Sequence, residues 1–351
     1  LNVNENKTYT VASLFAGIGG FCRAFKNEGF NVVWANEMDS YAAKTYRHNY
    51  PETRLIEKSV EDLSVKADEL EPVDILTAGF PCQSFSLAGN KLGFEDPRGQ
   101  LFFEIIRLLK EFGDKKPKIL VLENVKNLIY HDNKNTINII EEEIKRAGYW
   151  FRVPLDHKGN LITQRSNAVV LNTKDHTEVP QNRERLYMVA FSQEHFRMNT
   201  FKFPEAVESL DDVKQYLDTE NKADEEYYFD EESKYGKMFA DKMAEGSEES
   251  VYLLRRAYVR ENKNSTAFTL TANMGEGGHN VPVIKDNWGI RKLTPVECAR
   301  LQGFRDSFFS FPKDMPKGKQ YKQVGNAVTV DLVQKLAAEC RRNLTEQGAR
   351  K

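Results

Sequence analysis

Residues 10–21, TVASLFAGIGGF, run from an apolar stretch directly into three glycines, Gly17, Gly19 and Gly20. Glycines placed between a strand and a helix let the backbone turn sharply and approach a ligand closely. Outward from this segment, four more short apolar runs recur: FNVVWANE at 30–37, VDILTAGF at 73–80, KILVLENV at 118–125 and RLYMVAF at 185–191. Amphipathic stretches such as LFFEIIRLLKEF at 101–112 lie between them. This rhythm over residues 8 to 190 predicts an α/β fold on a largely parallel sheet. In such sheets ligands bind beyond the carboxyl ends of the strands, so the residues just after each run are the candidates for chemistry.

The chain has 351 residues, long for one core, and a second, smaller lobe is expected. From about 195 to 290 the rhythm fails and the chain turns polar, aromatic-rich and irregular, with the glycine-laden NMGEGGHN at 273–280. LTPVECARLQGF (293–304) and VTVDLVQKLAAECRRNL (328–344) then read as helices, the second amphipathic enough to return to the first lobe. The expected division is 1–194 plus 318–351 for the larger lobe and 195–317 for the smaller. No internal repeat or low-complexity tract interrupts either.

No apolar run is long enough to cross a bilayer, and the opening LNVNENKTYT lacks both a basic and an apolar leader region. A soluble, cytoplasmic protein without a membrane association is expected. The four cysteines, Cys22, Cys82, Cys298 and Cys340, form no CxxC and have no histidine at ligand spacing. This argues against a disulfide framework and against a metal site, and leaves reactivity as the reason for any special cysteine. A formal charge of −2 gives no global footprint for nucleic acid. The charge is nevertheless uneven: residues 205–249 are acidic, and the stretch after them carries Arg255, Arg256, Arg260, Lys263, Lys285, Arg291, Lys292 and Arg300 against Glu261, Glu276, Asp286 and Glu297. That excess suits either phosphates or a plain solvated surface.

The glycine spacing is not GxGxxG, which favours an adenosine-bearing cofactor other than a dinucleotide. Glu37, at the end of the second run, stands where a carboxylate can accept both ribose hydroxyls. In KSVEDL, Ser59 and Asp62 are both candidates for the adenine amino group. AGFPCQSFS at 78–86 places Cys82 directly after an apolar run, at a strand's carboxyl end, where a partly exposed thiolate is a strong nucleophile. KILVLENV delivers Glu123 and Asn124 to the same edge, where a carboxyl kept protonated by burial can donate a proton. Arg183 and Arg185 of VPQNRER alternate on an expected strand and so share a face suited to a carbonyl oxygen or a phosphate. QVGNAV (323–328) reads as a small-residue turn before the last helix.

Taken in order, FAGIGG, NEMD, GFPCQSFS, RGQLFFE, ENV, QNRER, RKLTPVECARLQGF and QVGNAV resemble the motif series of DNA (cytosine-5) methyltransferases of the bacterial restriction-modification type. The resemblance spans nearly the whole chain, with the variable stretch falling between QNRER and RKLTP. It implies a Rossmann-like methyltransferase sheet with a smaller target-recognition domain, S-adenosyl-L-methionine as methyl donor, duplex DNA as partner, and a monomer that associates with the nucleoid through DNA. Carried over residue by residue, Phe15, Gly17 and Gly19 face the donor and Glu37 holds its ribose; Met38, Asp62, Pro81 and Asn326 complete the donor site. Cys82 becomes the nucleophile, Glu123 contacts N3 and the amino group of the cytosine, Arg185 contacts O2, and Arg183 serves a phosphate or positions a loop. Gln83, Ser86 and Arg98 of the loop after Cys82, with Arg255, Arg256, Arg260 and Asn273, are the expected DNA contacts. Three positions depart from the pattern. Met38 stands where many members carry an aromatic residue, Lys58, Ser59 and Val60 replace Gly-Asp-Ile, and Glu178 replaces the usual glycine before Val179 and Pro180.

The implied chemistry has a physical rationale. Carbon 5 of cytosine is a poor nucleophile; a thiolate adding at carbon 6, with N3 protonated by Glu123, breaks the ring's aromaticity and leaves an enamine that can take the methyl group. This requires the base to leave the duplex stack. The loop 84–99 is expected to close over DNA and shield the intermediate. Within 251–280, arginines suit guanine and asparagines adenine. An RNA cytosine methyltransferase and a catalytically silent DNA-binding homologue are the rival readings; a nicotinamide dehydrogenase is disfavoured by the absent GxGxxG.

Overall fold

The computed structural model describes residues 8–81, 100–153, 166–255, 257–263, 265–276 and 280–348. Cys82, Gln83, Ser86, Arg98 and Arg256, and the proposed closing loop 84–99, lie outside the described residues. By packing, the chain divides into two compact units: Leu1–Leu171 with Glu184–Pro204 and Val333–Lys351, and Asn172–Arg183 with Glu205–Leu332. Residues 172–183 and 318–332, expected with the larger lobe, fall in the second unit, and residues 195–204, expected with the smaller lobe, fall in the first.

The first unit is built on strands β1 (Thr10–Leu14), β2 (Asn31–Asn36), β3 (Arg54–Ile56), β4 (Ile75–Gly79), β5 (Ile119–Val125), β6 (Tyr149–Trp150), β7 (Ala168–Asn172) and β8 (Glu184–Ser192). Their order is β3-β2-β1-β4-β5-β8-β6, with β7 also on β8. β1 to β5 pair in parallel, whereas β8 runs antiparallel to both β5 and β6. The predicted α/β class and largely parallel sheet are therefore present, and the fifth apolar run, RLYMVAF, is the antiparallel member. β4 and β5 are near-continuous buried runs because helices cover both faces of a parallel sheet. At the amino ends of the strands, Asp74 accepts from the Thr10 backbone N–H at 2.9 Å and from Lys118 Nζ at 2.6 Å, fastening β1, β4 and β5 to one another.

In chain order the helices are α1 (Gly20–Asn27), α2 (Ser40–Asn49), α3 (Gln100–Phe112), α4 (Asn135–Arg146), α5 (Thr173–His176), α6 (Lys234–Glu245), α7 (Pro295–Leu301), α8 (Lys317–Asn326) and α9 (Val330–Gly348). α3 and α4 bury Phe102, Ile105, Leu109, Ile137, Ile140 and Ile144 in the main core with Leu76, Leu120 and Leu122 of the sheet. α9 returns to α1 as its amphipathicity predicted: Gln334 Nε2 donates to Glu28 Oε1 at 2.8 Å, and Arg341 donates to the Glu28 carbonyl. Among the described residues, no helix is long and apolar enough to cross a membrane.

The second unit is more regular than its sequence suggested. β9 (Val251–Arg255), β10 (Tyr258–Asn262), β11 (Val283–Asp286) and β12 (Gly289–Lys292) form an antiparallel sheet in the order β10-β9-β11-β12. Its own core joins Phe239 and Met243 of α6 to Tyr252, Leu254, Val259, Val283 and Ile290. α7 begins with a capping box in which Thr294 and Glu297 each accept the other's backbone N–H, and with Pro295 at its first position. α8 packs backbone to backbone on the turn Ala272–Gly275: a β-carbon at Gly325 would collide with the Thr271 and Ala272 backbone. QVGNAV is therefore the last turn of α8 through Asn326 and not a turn throughout. Glycine is a poor helix former, but here the close backbone approach demands it.

Candidate active site

The turn from β1 into α1 is held in an unusual conformation. Phe15, Gly17 and Gly19 have φ of 53°, 55° and 88°, and the left-handed region is uncommon for a bulky aromatic such as Phe15. Beside it, Glu37 is fixed by two backbone donors: Oε2 accepts from Gly17 N–H at 2.8 Å and Oε1 from Asp39 N–H at 2.8 Å. Burial pushes the Glu37 carboxyl above the usual carboxylate range, against the pull of these two N–H groups. Each oxygen retains a further lone pair, so the carboxylate can still accept from a ligand. Met38, next along, is 65 % exposed. Asn36 is buried, and its Nδ2 donates to the carbonyls of Ile56 at 3.1 Å and Lys58 at 2.8 Å, binding the end of β2 to the end of β3. Ser59 caps the short turn after β3 through Glu61 N–H at 3.3 Å, whereas Asp62 is exposed.

Strands β4 and β5 bring the second group together. Phe80 is buried and Pro81 exposed at the point where β4 ends. Asn124, itself buried, donates from Nδ2 to the Phe80 carbonyl at 2.8 Å and accepts Val125 N–H on Oδ1 at 2.8 Å. The backbone two residues before Cys82 is thereby tied to β5. Glu123 lies on β5 opposite Tyr187 of β8, and Arg185 lies opposite Val125. Arg185 Nε stands 3.1 Å from Glu123 Oε1, with both side chains largely buried. The carboxyl thus faces a cation, where the sequence pointed only to burial. A β-carbon on Gly79 would come within 3.4 Å of Glu123 Oε2, so the glycine gives this carboxylate its room.

The second unit holds the remaining candidates. Arg183 immediately precedes β8. It is buried, and its guanidinium donates to the carbonyls of Leu270 (2.6 Å), Ala327 (2.7 Å) and Gly325 (3.1 Å). Of its two expected roles this geometry matches loop positioning and leaves the phosphate contact without support. Asn326 is exposed at the end of α8. Arg255 is exposed at the end of β9, Asn273 is exposed on the Ala272–Gly275 turn, and Arg260 lies over the Phe268 ring with 5.4 Å to its centroid. The basic stretch is less basic than it reads. Arg291 is fully buried against Asp286 (2.6 Å) and Glu297 (2.8 Å), Arg300 is bound to Asp306 at 3.0 Å, and Lys285 is paired with Glu248. Glu178 has no positive φ, so its backbone does not ask for glycine; nothing in the structure explains the substitution.

Sequence reasoning missed Asn36 and the buried Arg291–Glu297 pair. Asn36 carries no local signal apart from its place beside Glu37, and Arg291 reads as one more surface cation until its partners fold around it. The donor cradle fits an adenosine-bearing methyl donor: a β-carbon at Gly17 would meet nothing within 4 Å, Met38 offers an exposed apolar side chain, and Glu37 presents a fixed carboxylate to a diol. Among the described residues no cluster of His, Cys, Asp and Glu is placed to hold a metal ion.

The family described as C-5 cytosine-specific DNA methylase matches residues 9–342. The chain is 42 % identical to the type II methyltransferase M.Bsp6I of Bacillus sp. (strain RFL6), covering 93 % of this chain and 96 % of that protein. It is 35 % identical to M.HhaI of Haemophilus parahaemolyticus, over 92 % and 91 % of the two chains. Among solved structures, a DNMT2 variant of Spodoptera frugiperda aligns with a TM-score of 0.69 at 19 % identity, covering 94 % of this chain and 98 % of its own. A putative DNA modification methyltransferase encoded within an E. coli prophage aligns with a TM-score of 0.66 at 20 % identity, covering 97 % and 100 %. The sheet is accordingly that of S-adenosyl-L-methionine-dependent methyltransferases, and the chain belongs to the C-5 cytosine-specific DNA methylases, enzymes that transfer a methyl group from S-adenosyl-L-methionine to carbon 5 of cytosine in DNA.

Proposed function

We propose that the carboxyl edge of β1, β2, β4 and β5 is the methyl-transfer site and that Cys82 is its nucleophile. The donor supplies an electrophilic methyl group. Phe15, Gly17 and Gly19 would line it, Glu37 would accept its ribose hydroxyls, and Met38 and Pro81 would flank it, with Asn326 at the turn expected to close over it. Ser59 Oγ already accepts Glu61 N–H and donates to the Glu61 carboxylate, which favours Asp62 for the adenine amino group. The observation that carries the reading is the Arg185–Glu123 pair at 3.1 Å, next to an asparagine that tethers the strand end leading to Cys82.

With a cytosine turned out of the duplex, the Cys82 thiolate forms the S–C6 bond and the ring's electron pair moves toward N3, where a proton arrives through Glu123. Arg185 donates to O2 and holds Glu123 in register. Carbon 5, now part of an enamine, takes the methyl group, leaving S-adenosyl-L-homocysteine; the carbon-5 proton passes to water as the S–C6 bond breaks, returning the Cys82 thiolate, and the N3 proton leaves back through Glu123. Arg255, Arg260 and Asn273 of the second unit, with Arg256, Gln83, Ser86 and Arg98, are proposed to contact DNA, and the second unit to select the target sequence. The names of M.Bsp6I and M.HhaI, both type II methyltransferases, further support a type II modification enzyme, which we propose acts as a monomer in the cytoplasm. A parallel assay with duplex DNA and transfer RNA tests the substrate: methylation confined to the duplex is expected, and preferential methylation of transfer RNA would refute it. Exchange of residues 251–280 for those of a relative is expected to move the methylated sequence; unchanged specificity would refute the recognition role.

A further inference from the structure

We propose that Tyr50 is a positioning residue of the methyl-donor site, acting on the glycine turn from beneath; this rests on the reading that the donor lies against that turn. Tyr50 closes α2, is buried, and donates its hydroxyl to the Gly19 carbonyl at 3.1 Å. Its ring also occupies the place a side chain at Gly19 would need: a β-carbon there would fall within contact distance of Tyr50 Cε2, Cζ and Oη. Gly19 has φ of 88° and caps α1, so the phenol braces the one residue on which the turn hands over to the helix. The brace is itself fixed. Tyr46 packs against Tyr50 with ring centroids 4.7 Å apart, Tyr46 donates to the Cys22 sulfur at 3.2 Å, and the Arg23 guanidinium lies 5.3 Å from the Tyr50 ring centroid.

The other end of α2 touches the same site. Asp39, its N-cap, donates its backbone N–H to Glu37 Oε1, and Glu37 in turn accepts Gly17 N–H. α2 therefore meets the cradle twice, at Glu37 through its first turn and at Gly19 through its last residue. A rigid helix spanning the two points fixes the separation between the carboxylate and the glycine turn, which is the distance a bound adenosine moiety would have to match.

The test uses Tyr50→Phe, which keeps the ring and removes only the hydroxyl. Tyr149→Phe is the control, because Tyr149 is equally buried and donates to the Pro117 carbonyl at 2.6 Å on a strand at the far edge of the sheet. Binding of S-adenosyl-L-homocysteine is measured by calorimetry on the full chain, together with its thermal midpoint without ligand. Both variants are expected to lower the midpoint, but only Tyr50→Phe should weaken binding, by about 5-fold, the order of one hydrogen bond. Its KM for the donor should rise with little change in kcat. Unchanged binding in Tyr50→Phe, or an equal loss in Tyr149→Phe, would overturn the proposal. Glu37→Ala separates the two claims. If it too leaves binding unchanged, the donor is not at this turn; if it abolishes binding while Tyr50→Phe does not alter it, only the bracing role fails.

Discussion

Replacing Asn124 with alanine removes two hydrogen bonds at once, a buried one to the Phe80 carbonyl and a partly buried one from the Val125 N–H, each 2.8 Å long. Each leaves a backbone group with one hydrogen bond fewer, at about 1–3 kcal/mol apiece, so a loss of about 2–6 kcal/mol in unfolding free energy is expected. The larger effect should be on rate. The Phe80 carbonyl is the last anchored point of β4 before Pro81 and Cys82, and a nucleophile misplaced by about 1 Å can lose on the order of 10²-fold in rate. Single-turnover methyl transfer to a cognate duplex, run well below the variant's unfolding temperature, should therefore slow by about two orders of magnitude while S-adenosyl-L-homocysteine binding stays within about 2-fold. Asn124→Asp sharpens the test: it keeps an acceptor for Val125 N–H but turns an oxygen toward the Phe80 carbonyl, so it should be at least as slow as alanine. A wild-type single-turnover rate in Asn124→Ala would show that the tether does not position the thiol.

Donor affinity should depend on pH through Glu37. Burial raises its carboxyl above the usual carboxylate range, and ribose hydroxyls donate to the ionised form. S-adenosyl-L-homocysteine binding should therefore weaken as pH falls through that raised value, a dependence that calorimetry should find absent in Glu37→Ala. Truncating Glu297 to alanine leaves Arg291 buried with one carboxylate partner fewer, and urea denaturation should show about 3–5 kcal/mol lost. If Arg260, ordered by its stacking on Phe268, contacts a phosphate, Arg260→Gln should flatten the slope of log K against log salt by about 0.9 for duplex DNA; an unaltered slope would remove it from the interface.

Much of the first unit was legible because parallel strands are buried on both faces. β1, β2, β4, β5 and β8 announce themselves as apolar runs, whereas β3 and β6, with three and two residues, exist only through their pairing with β2 and β8. Strands such as YVREN and GIRK each carry two charged residues in a row, so the sheet of the second unit was hidden in a stretch that reads as irregular. The site was legible in its parts but not in its pairings. Glu37, Glu123 and Arg185 were identifiable by type and position, but the Arg185–Glu123 contact depends on the antiparallel register of β5 and β8, and the loss of Arg183 to three carbonyls depends on the packing of α8. Tyr50 and Asn36 gave no local sign, because what they support is far from them in sequence.

The central claim is a covalent bond from one sulfur to carbon 6 of the target base, and mass spectrometry of the intact protein tests it most directly. A duplex carrying 5-fluorocytosine at the target position, incubated with S-adenosyl-L-methionine, should yield a stable adduct, since the enzyme cannot remove fluorine from carbon 5 as it removes a proton. The adduct should map to Cys82 and be absent from Cys82→Ala. An adduct that persists in Cys82→Ala, or a wild-type enzyme that methylates the unmodified duplex yet traps none of the fluorinated one, would contradict the account.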